Sequence, residues 1–217
     1  DVYKRQNQDI RKNQLGGMTF PLTVRARRII EKLTIAPRFM EMPDFPCFRV
    51  DITACSKNLV QQFIEARPNQ NWLLMADEAA QSEQQLWTAW LLSKRALEQN
   101  RALARSVDAE FLRYIAGTHH VSEAFRKVGI TDFHTSAWVV CLPDYQQKGG
   151  EISPVIDSEL LDGSMAEMCN RLNFTRIPGR PKLSIEGITK LGIDIEEIGE
   201  NTEDSLIGLT ISTDLNS

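Results

Sequence analysis

Apolar and polar positions change period several times along the 217-residue chain, and the changes divide it into alternating strands and helices. Phe48, Val50 and Ile52 alternate with Arg49 and Asp51, the period-two signature of a half-buried strand. Leu59, Val60, Phe63 and Ile64 then recur at helical spacing. Ser56 is placed to cap that helix, and the Arg67-Pro68 step closes it after Ala66. The run WLLMA at 72–76 is short and wholly apolar, as a buried strand is. Residues 79–104 read as a long helix. Leu86, Trp90 and Leu97 form its stripe with Trp87 and Leu91 alongside, and Gln84, Lys94, Arg95 and Glu98 supply the solvated side. A shorter helix over 109–115 leads to Gly117. Thr118 can cap a further helix carrying Val121, Ala124, Phe125 and Val128 on one face, with Gly129 ending it as a C′ glycine. The run AWVVCL at 137–142 is the clearest buried strand, and Pro143 stops it.

The last third is softer. Lys148-Gly149-Gly150 reads as a loop, and Ser164 to Glu167 as a capping box opening a helix that ends at Leu172. Two prolines and a glycine make 173–182 irregular, residues 184–191 form a short amphipathic helix before Gly192, and an acidic stretch over 194–204 precedes the apolar segment 206–211. At the other end, residues 1–17 carry almost no apolar side chains and close on Gly16-Gly17. They are expected to be a disordered tail or non-native leader, with the native texture starting at Met18. Strands interleaved with helices over 18–217 imply a single compact α/β domain, a small mixed β-sheet packed with several helices and a helical C-terminal segment.

Composition narrows the function classes. A formal charge of −4 and a pI near 5.5 exclude whole-surface attraction to nucleic acid, so any RNA contact must come from a local basic patch. Cys47, Cys55, Cys141 and Cys169 form no CxxC pair, which implies reduced, mostly buried thiols and a cytoplasmic protein, or a nuclear one if the source is eukaryotic. No apolar run approaches the roughly 18–20 residues that span a bilayer.

Chemistry-bearing patterns are few. There is no GxxxxGK[ST], no GxGxxG after a strand, no GxSxG and no HExxH. His119 and His120 are adjacent, so on a helix they point about 100° apart and do not share a metal; no metal and no cofactor are expected. His134 precedes a strand and reads as a satisfied turn residue. Asp77-Glu78 and Glu196-Glu197 read as solvated faces. Two basic clusters stand out. Arg25, Arg27, Arg28 and Lys32 lie near the start, while Arg113, Arg126 and Lys127 flank the histidine pair with Tyr114 close by, a combination suited to single-stranded RNA ends or to ordinary helix-surface charge. Trp87 and Trp90 point in different directions from one helix, so one can be core and the other exposed to a partner. Three readings stay open on these residues: an adaptor, a small α/β enzyme using His119 or His134 as general base, and a generic interaction domain.

The stretch SEQQLWTAWLLSKRALEQNRALARSVDAEFLRYIAGTHHVSEAFRKVGI resembles the signature region of the kinase-binding subunit of the KEOPS tRNA-modification complex, the TPRKB-type family. The likeness lies in an acidic start at Glu83-Gln-Gln-Leu86, a long helix ending near Asn100, and a following motif, Gly-x-Arg-Gln-Ile-x-x-Ala-hydrophobic-x-x-x-Gly-Ile. Here that motif runs from Gly117 to Ile130 with His119-His120 in place of Arg-Gln. It extends over about 48–142, and residues 204–215 look like the family's terminal helix. The resemblance implies a non-catalytic subunit that binds the N-lobe of the complex's small atypical kinase/ATPase. It also implies help in docking tRNA, including its 3′ end, for threonylcarbamoylation of an adenosine by another subunit. On this chain it points to Trp90, Val121, Phe125 and Ile130 for partner binding, and to Arg113, His119, His120, Arg126 and Lys127 for RNA. The histidine substitution puts an arginine-dependent contact in doubt.

Overall fold

The computed structural model describes residues 42–55, 58–148, 151–194 and 201–215. The chain divides into two units, Asp1–Ile35 and Ala36–Ser217, and the described residues all belong to the second. The polar 1–17 segment, the basic positions Arg25, Arg27, Arg28 and Lys32, the Ser56 cap and the Glu196-Glu197 pair lie outside the described residues.

The elements run β1 (Cys47–Asp51), α1 (Leu59–Ala66), β2 (Trp72–Ala76), a 3-10 turn (Asp77–Ala79), α2 (Glu83–Glu98), α3 (Val107–Ile115), α4 (Val121–Val128), β3 (Ser136–Cys141), β4 (Asp144–Lys148), β5 (Glu151–Val155), α5 (Ser158–Leu172), β6 (Thr175–Arg176), α6 (Ile185–Leu191) and α7 (Thr202–Leu215). The larger sheet has the order β2-β3-β1-β6. Every pairing in it is antiparallel, with Val50 opposite Ala137 and Trp72 opposite Cys141, so the sheet is not mixed as the interleaving of strands and helices predicts. The reason is topological. β1 and β2 run parallel to each other, as a helical crossover requires, but β3 returns through three helices and inserts between them.

One face of this sheet presents Val50, Ile52, Trp72, Leu74, Ala137 and Val139 to Leu59 and Phe63 of α1 and to Met165, Met168 and Leu172 of α5. The opposite set, Leu73, Met75, Trp138 and Val140, is equally buried. β2 and β3 are thus covered on both faces, which is why their sequences are continuous apolar runs rather than alternations. Each such fully buried aliphatic side chain stabilises the fold by about 1.5–3 kcal/mol.

Several expected elements shift. α2 is shorter than 79–104: the Ser82 hydroxyl caps it by accepting the Gln85 N–H at 3.1 Å, and Asn100 ends it in the left-handed region (φ 52°). Both of its tryptophans are core, so Trp90 is not an exposed partner anchor. Their indole N–H groups donate to the Pro43 and Pro143 carbonyls at 3.1 and 2.9 Å. α5 starts six residues before Ser164, capped by Asp157, because the stripe Leu161, Met165, Met168, Leu172 already runs at helical spacing from there. Of the expected loop at 148–150, Gly149 and Gly150 lie outside the described residues; the strands on either side pair antiparallel, with Lys148 opposite Glu151. Gly129 ends α4 with extended backbone (φ −78°) rather than as a left-handed C′ residue. A Cβ there would lie 2.3 Å from the Phe125 carbonyl oxygen, so close approach excludes any other side chain.

The helical layer is joined by a buried ion pair. Arg113 and Glu110, one turn apart on α3, both have fully buried side chains and meet at 2.6 Å. Glu110 also accepts the backbone N–H groups of Leu103 and Ala104 at 3.2 and 2.8 Å. Arg113 donates to the Thr118 carbonyl at 3.2 Å. The Tyr114 hydroxyl donates to Asp214 of α7 at 2.8 Å. Removing one member leaves an uncompensated buried charge, so Glu110→Gln and Arg113→Met are each expected to lower unfolding free energy by about 3–5 kcal/mol. The double replacement by Met removes the unpaired charge but leaves the Leu103 and Ala104 N–H groups and the Thr118 carbonyl without these partners, so it is expected to recover only part of that loss. Urea denaturation of the three variants measures both statements; single variants within about 0.5 kcal/mol of wild type would show that the pair does not hold the layer.

Candidate functional site

The segment from α3 to the end of α4 is built from local hydrogen bonds. Gly117 turns the chain with φ +63°, where a Cβ would meet Leu209 of α7 at 2.7 Å, so the turn and the close approach both require glycine. Thr118 does not itself cap α4. Its hydroxyl accepts the His120 N–H at 3.2 Å and donates to Glu123 at 2.6 Å, bracketing His120, which stands at the N-cap. The two histidines therefore precede the helix rather than forming its first turn.

The structure separates the sequence-expected site residues. Phe125 is 48% exposed and Val121 half-buried, while Ala124 and Val128 fill the inward side of α4. Ile130 is partly buried and packs against the core between the sheet, α1 and α5. His120 and Arg126 are exposed, and Arg126 lies near enough to Glu123 to help hold that carboxylate charged. Lys127 is half-buried, 3.4 Å from the Ala116 carbonyl and 3.5 Å from Glu123. His119 is partly buried, with the Arg113 guanidinium 3.5 Å from its Nδ1. Arg113 cannot face RNA, because its side chain is wholly enclosed. The signal for this was in the sequence: Glu110 lies three residues before Arg113, the spacing at which helical side chains meet.

The C-terminal helix adds a surface that periodicity does not reveal. α7 packs on α2 and α3 through Thr202, Leu206, Thr210 and Thr213, while Ile207 and Ile211, four residues apart, stay partly exposed with Gly208 open between them. Buried hydroxyls are tolerated here because Thr210 and Thr213 donate to the Leu206 and Leu209 carbonyls at 3.1 and 3.0 Å. Threonines on the buried side and isoleucines partly outside depart from the usual helix pattern, leaving apolar side chains on the outer face of α7.

A second region surrounds the 3-10 turn. Asp77 binds the Arg49 guanidinium, accepts from the Ser136 hydroxyl at 2.9 Å, and offers its carbonyl to the Trp138 indole at 2.9 Å. Glu78 binds Lys190 and lies 3.0 Å from His134 Nε2. The Asp77-Glu78 pair is thus a paired, half-buried unit rather than a solvated face. His134 Nδ1 accepts the Thr131 N–H at 2.9 Å, so both ring nitrogens are engaged within the protein. These groups line a cleft of about 730 Å³, within the range of ordinary ligand pockets. Among the described residues no three or more His, Cys, Asp or Glu side chains are grouped to hold a metal ion.

Burial would raise the Glu78 pKa, but hydrogen bonds from Lys190 and His134 outweigh it and hold the carboxyl down at about 2. A carboxylate with a depressed folded-state pKa contributes stability that is complete above its unfolded value, near 4.5, and fades as pH falls toward 2. Glu78→Gln is accordingly expected to cost about 2 kcal/mol at pH 7, with the gap to wild type closing between pH 4.5 and 2. Unfolding midpoints of both proteins across that window check the sign; a gap that widens on acidification would refute it.

Residues 50–183 match the family model described as kinase binding protein CGI-121, and since the match spans more than half of the chain, the chain belongs to that family. Comparison with curated proteins gave no match.

Proposed function

From its membership of the kinase binding protein CGI-121 family, we propose that this chain is a non-catalytic subunit of the KEOPS tRNA-modification complex. In this reading it binds and supports the complex's small atypical kinase/ATPase and helps dock tRNA for threonylcarbamoyladenosine formation in the cytoplasm. The observation that carries the reading is the apolar outer face of the helical layer. Phe125 on α4 is 48% exposed, and Ile207 and Ile211 stay partly exposed on the outer side of α7, opposite the side on which Leu209 covers Gly117. Such side chains, rimmed by polar groups, are what an interface core uses.

RNA docking rests on fewer groups. His120 and Arg126, with Lys127 and His119 adjoining, form the basic surface next to that face. A handful of charges on an acidic protein supports only weak, salt-sensitive binding, so tRNA contact fits a role within the assembled complex rather than for the isolated chain. The general-base alternative fares worse on geometry. His134 has both ring nitrogens occupied and His119 turns Nδ1 to a guanidinium.

The test is capture of the partner kinase by full-length protein. Ile207→Glu with Ile211→Glu, and separately Phe125→Glu, are expected to weaken binding by about 30-fold or more, the effect of losing about 2 kcal/mol at an interface centre. Val60→Glu, on exposed α1, is expected to bind as wild type does. A folded wild type that captures no kinase, or an α1 variant as damaging as the α7 one, sinks the assignment. Filter binding of the kinase-bound chain to intact and 3′-truncated tRNA tests the RNA part, for which preference for the intact form is expected.

A further inference from the structure

We propose that the cleft beside the 3-10 turn is a second binding site, for a short peptide segment that carries a carboxylate next to a large apolar side chain. Its lining includes neither Phe125 nor any residue of α7, and it does not depend on the kinase reading.

The first argument is a guanidinium with one edge left over. Arg49 uses Nε and Nη2 on Asp77, and Nη1 has no partner among the described residues. Asp77 holds that guanidinium in a fixed plane with the Ser136 hydroxyl as a second anchor. Gly179 leaves the space above it clear, since a Cβ there would come within 3.1 Å of the Arg49 Cδ and 3.8 Å of Nη1. A fixed guanidinium edge is a carboxylate receptor by geometry. Lys182, also lining the cleft, has no partner among the described residues and adds a second cation.

The second argument is an aromatic ring held in water. Phe133 lines the same cleft and is 94% exposed, with the apolar Leu183 also on the lining at 39% exposure. The loop that carries Phe133 is pinned on its C-terminal side: His134 accepts from the Thr131 N–H at 2.9 Å and meets Glu78 at 3.0 Å. The opposite wall is fixed as well. The buried Gln81 side chain accepts the Ser184 N–H at 2.7 Å, and Arg180 is held to Glu83 at 2.7 Å. Walls fixed before a ligand arrives lower the entropy that binding must overcome.

Charge decides between peptide and nucleic acid. Arg49, Arg180 and Lys182 share the cleft with Asp77, Glu78 and Glu186, so the lining is balanced rather than basic. A phosphate at every residue of a polynucleotide would meet those three carboxylates. A peptide places one carboxylate on the Arg49 edge and Lys182, lays an apolar side chain on Phe133 and Leu183, and carries no further charge.

The experiment uses the full chain and a fluorescein-labelled peptide, Gly-Ser-Glu-Phe-Gly-Ser with an amidated C-terminus, read by fluorescence anisotropy. Saturable binding is expected with a Kd of roughly 10–100 μM, weakened about tenfold or more when Gln replaces Glu in the peptide. Phe133→Ala and Lys182→Glu, both at exposed positions, are expected to weaken it about tenfold each. Their thermal unfolding and kinase capture should stay at wild-type level, so this proposal and the kinase assignment can fail separately. No saturation by about 1 mM, equal binding of the Gln peptide, unaltered affinity of both variants, or tighter binding of a single-stranded oligoribonucleotide that displaces the peptide would each overturn it.

Discussion

Taking a carboxylate and a guanidinium wholly out of water costs several kcal/mol per ion, and their mutual attraction offsets this only when the remaining donors and acceptors also find partners. Glu110 and Arg113 meet that condition by reaching beyond each other. Glu110 accepts backbone N–H groups from the turn that enters α3, and Arg113 donates to the carbonyl of the turn that leaves it. The pair therefore fixes the chain on both sides of α3. Thr118, held by Arg113, organises the start of α4 through His120 and Glu123. Gly117, just before it, receives Leu209 from α7. The placement of Phe125 on α4 and the seating of α7 both depend on where that buried pair leaves the turns.

The 3-10 turn is a second joint, between the sheet, α6 and the loop after α4. Its two acidic residues face different ways. Asp77 binds to the sheet through Arg49, Ser136 and Trp138, and Glu78 binds to α6 and to the loop after α4 through Lys190 and His134. The depressed Glu78 pKa records the same arrangement in electrostatic form, because two donors converge on one half-buried carboxylate. A rigid joint with a cleft beside it and a flanking helical surface gives one small chain two separate faces.

How much of this could be read from sequence depended on whether local order or distant contact set the outcome. β2, β3 and the helices at 107–115 and 121–128 were legible because their apolar periods are strong and the last three are closed by Pro143, Gly117 and Gly129. The α5 start and the β4–β5 pairing were missed although their cues are local, in the Asp157 cap and in the two glycines between two short segments. Tertiary placement was not legible. Trp90 looks like an interface residue by type, and its burial depends on a carbonyl 53 positions away. Arg49, Asp77 and Phe133 come from three separate stretches, and no spacing links them.

α7 shows why pattern reading misses a surface that is visible in the structure. A helix that served only stability would bury Ile207 and Ile211 and leave its threonines in water, since an aliphatic side chain moved from water to the core stabilises by about 1.5–3 kcal/mol. Here the buried stripe is Thr202, Leu206, Thr210 and Thr213, and hydroxyls that hydrogen-bond within the helix keep the cost of that choice small. Threonine is compact enough to let α7 lie close on α2 and α3, and Leu209 reaches Gly117 only at that distance. The buried stripe thus holds one large aliphatic side chain, Leu206, while Ile207 and Ile211 fall on the outer side. In a kinase-binding family the same constraint that seats the helix supplies the apolar face a partner can cover.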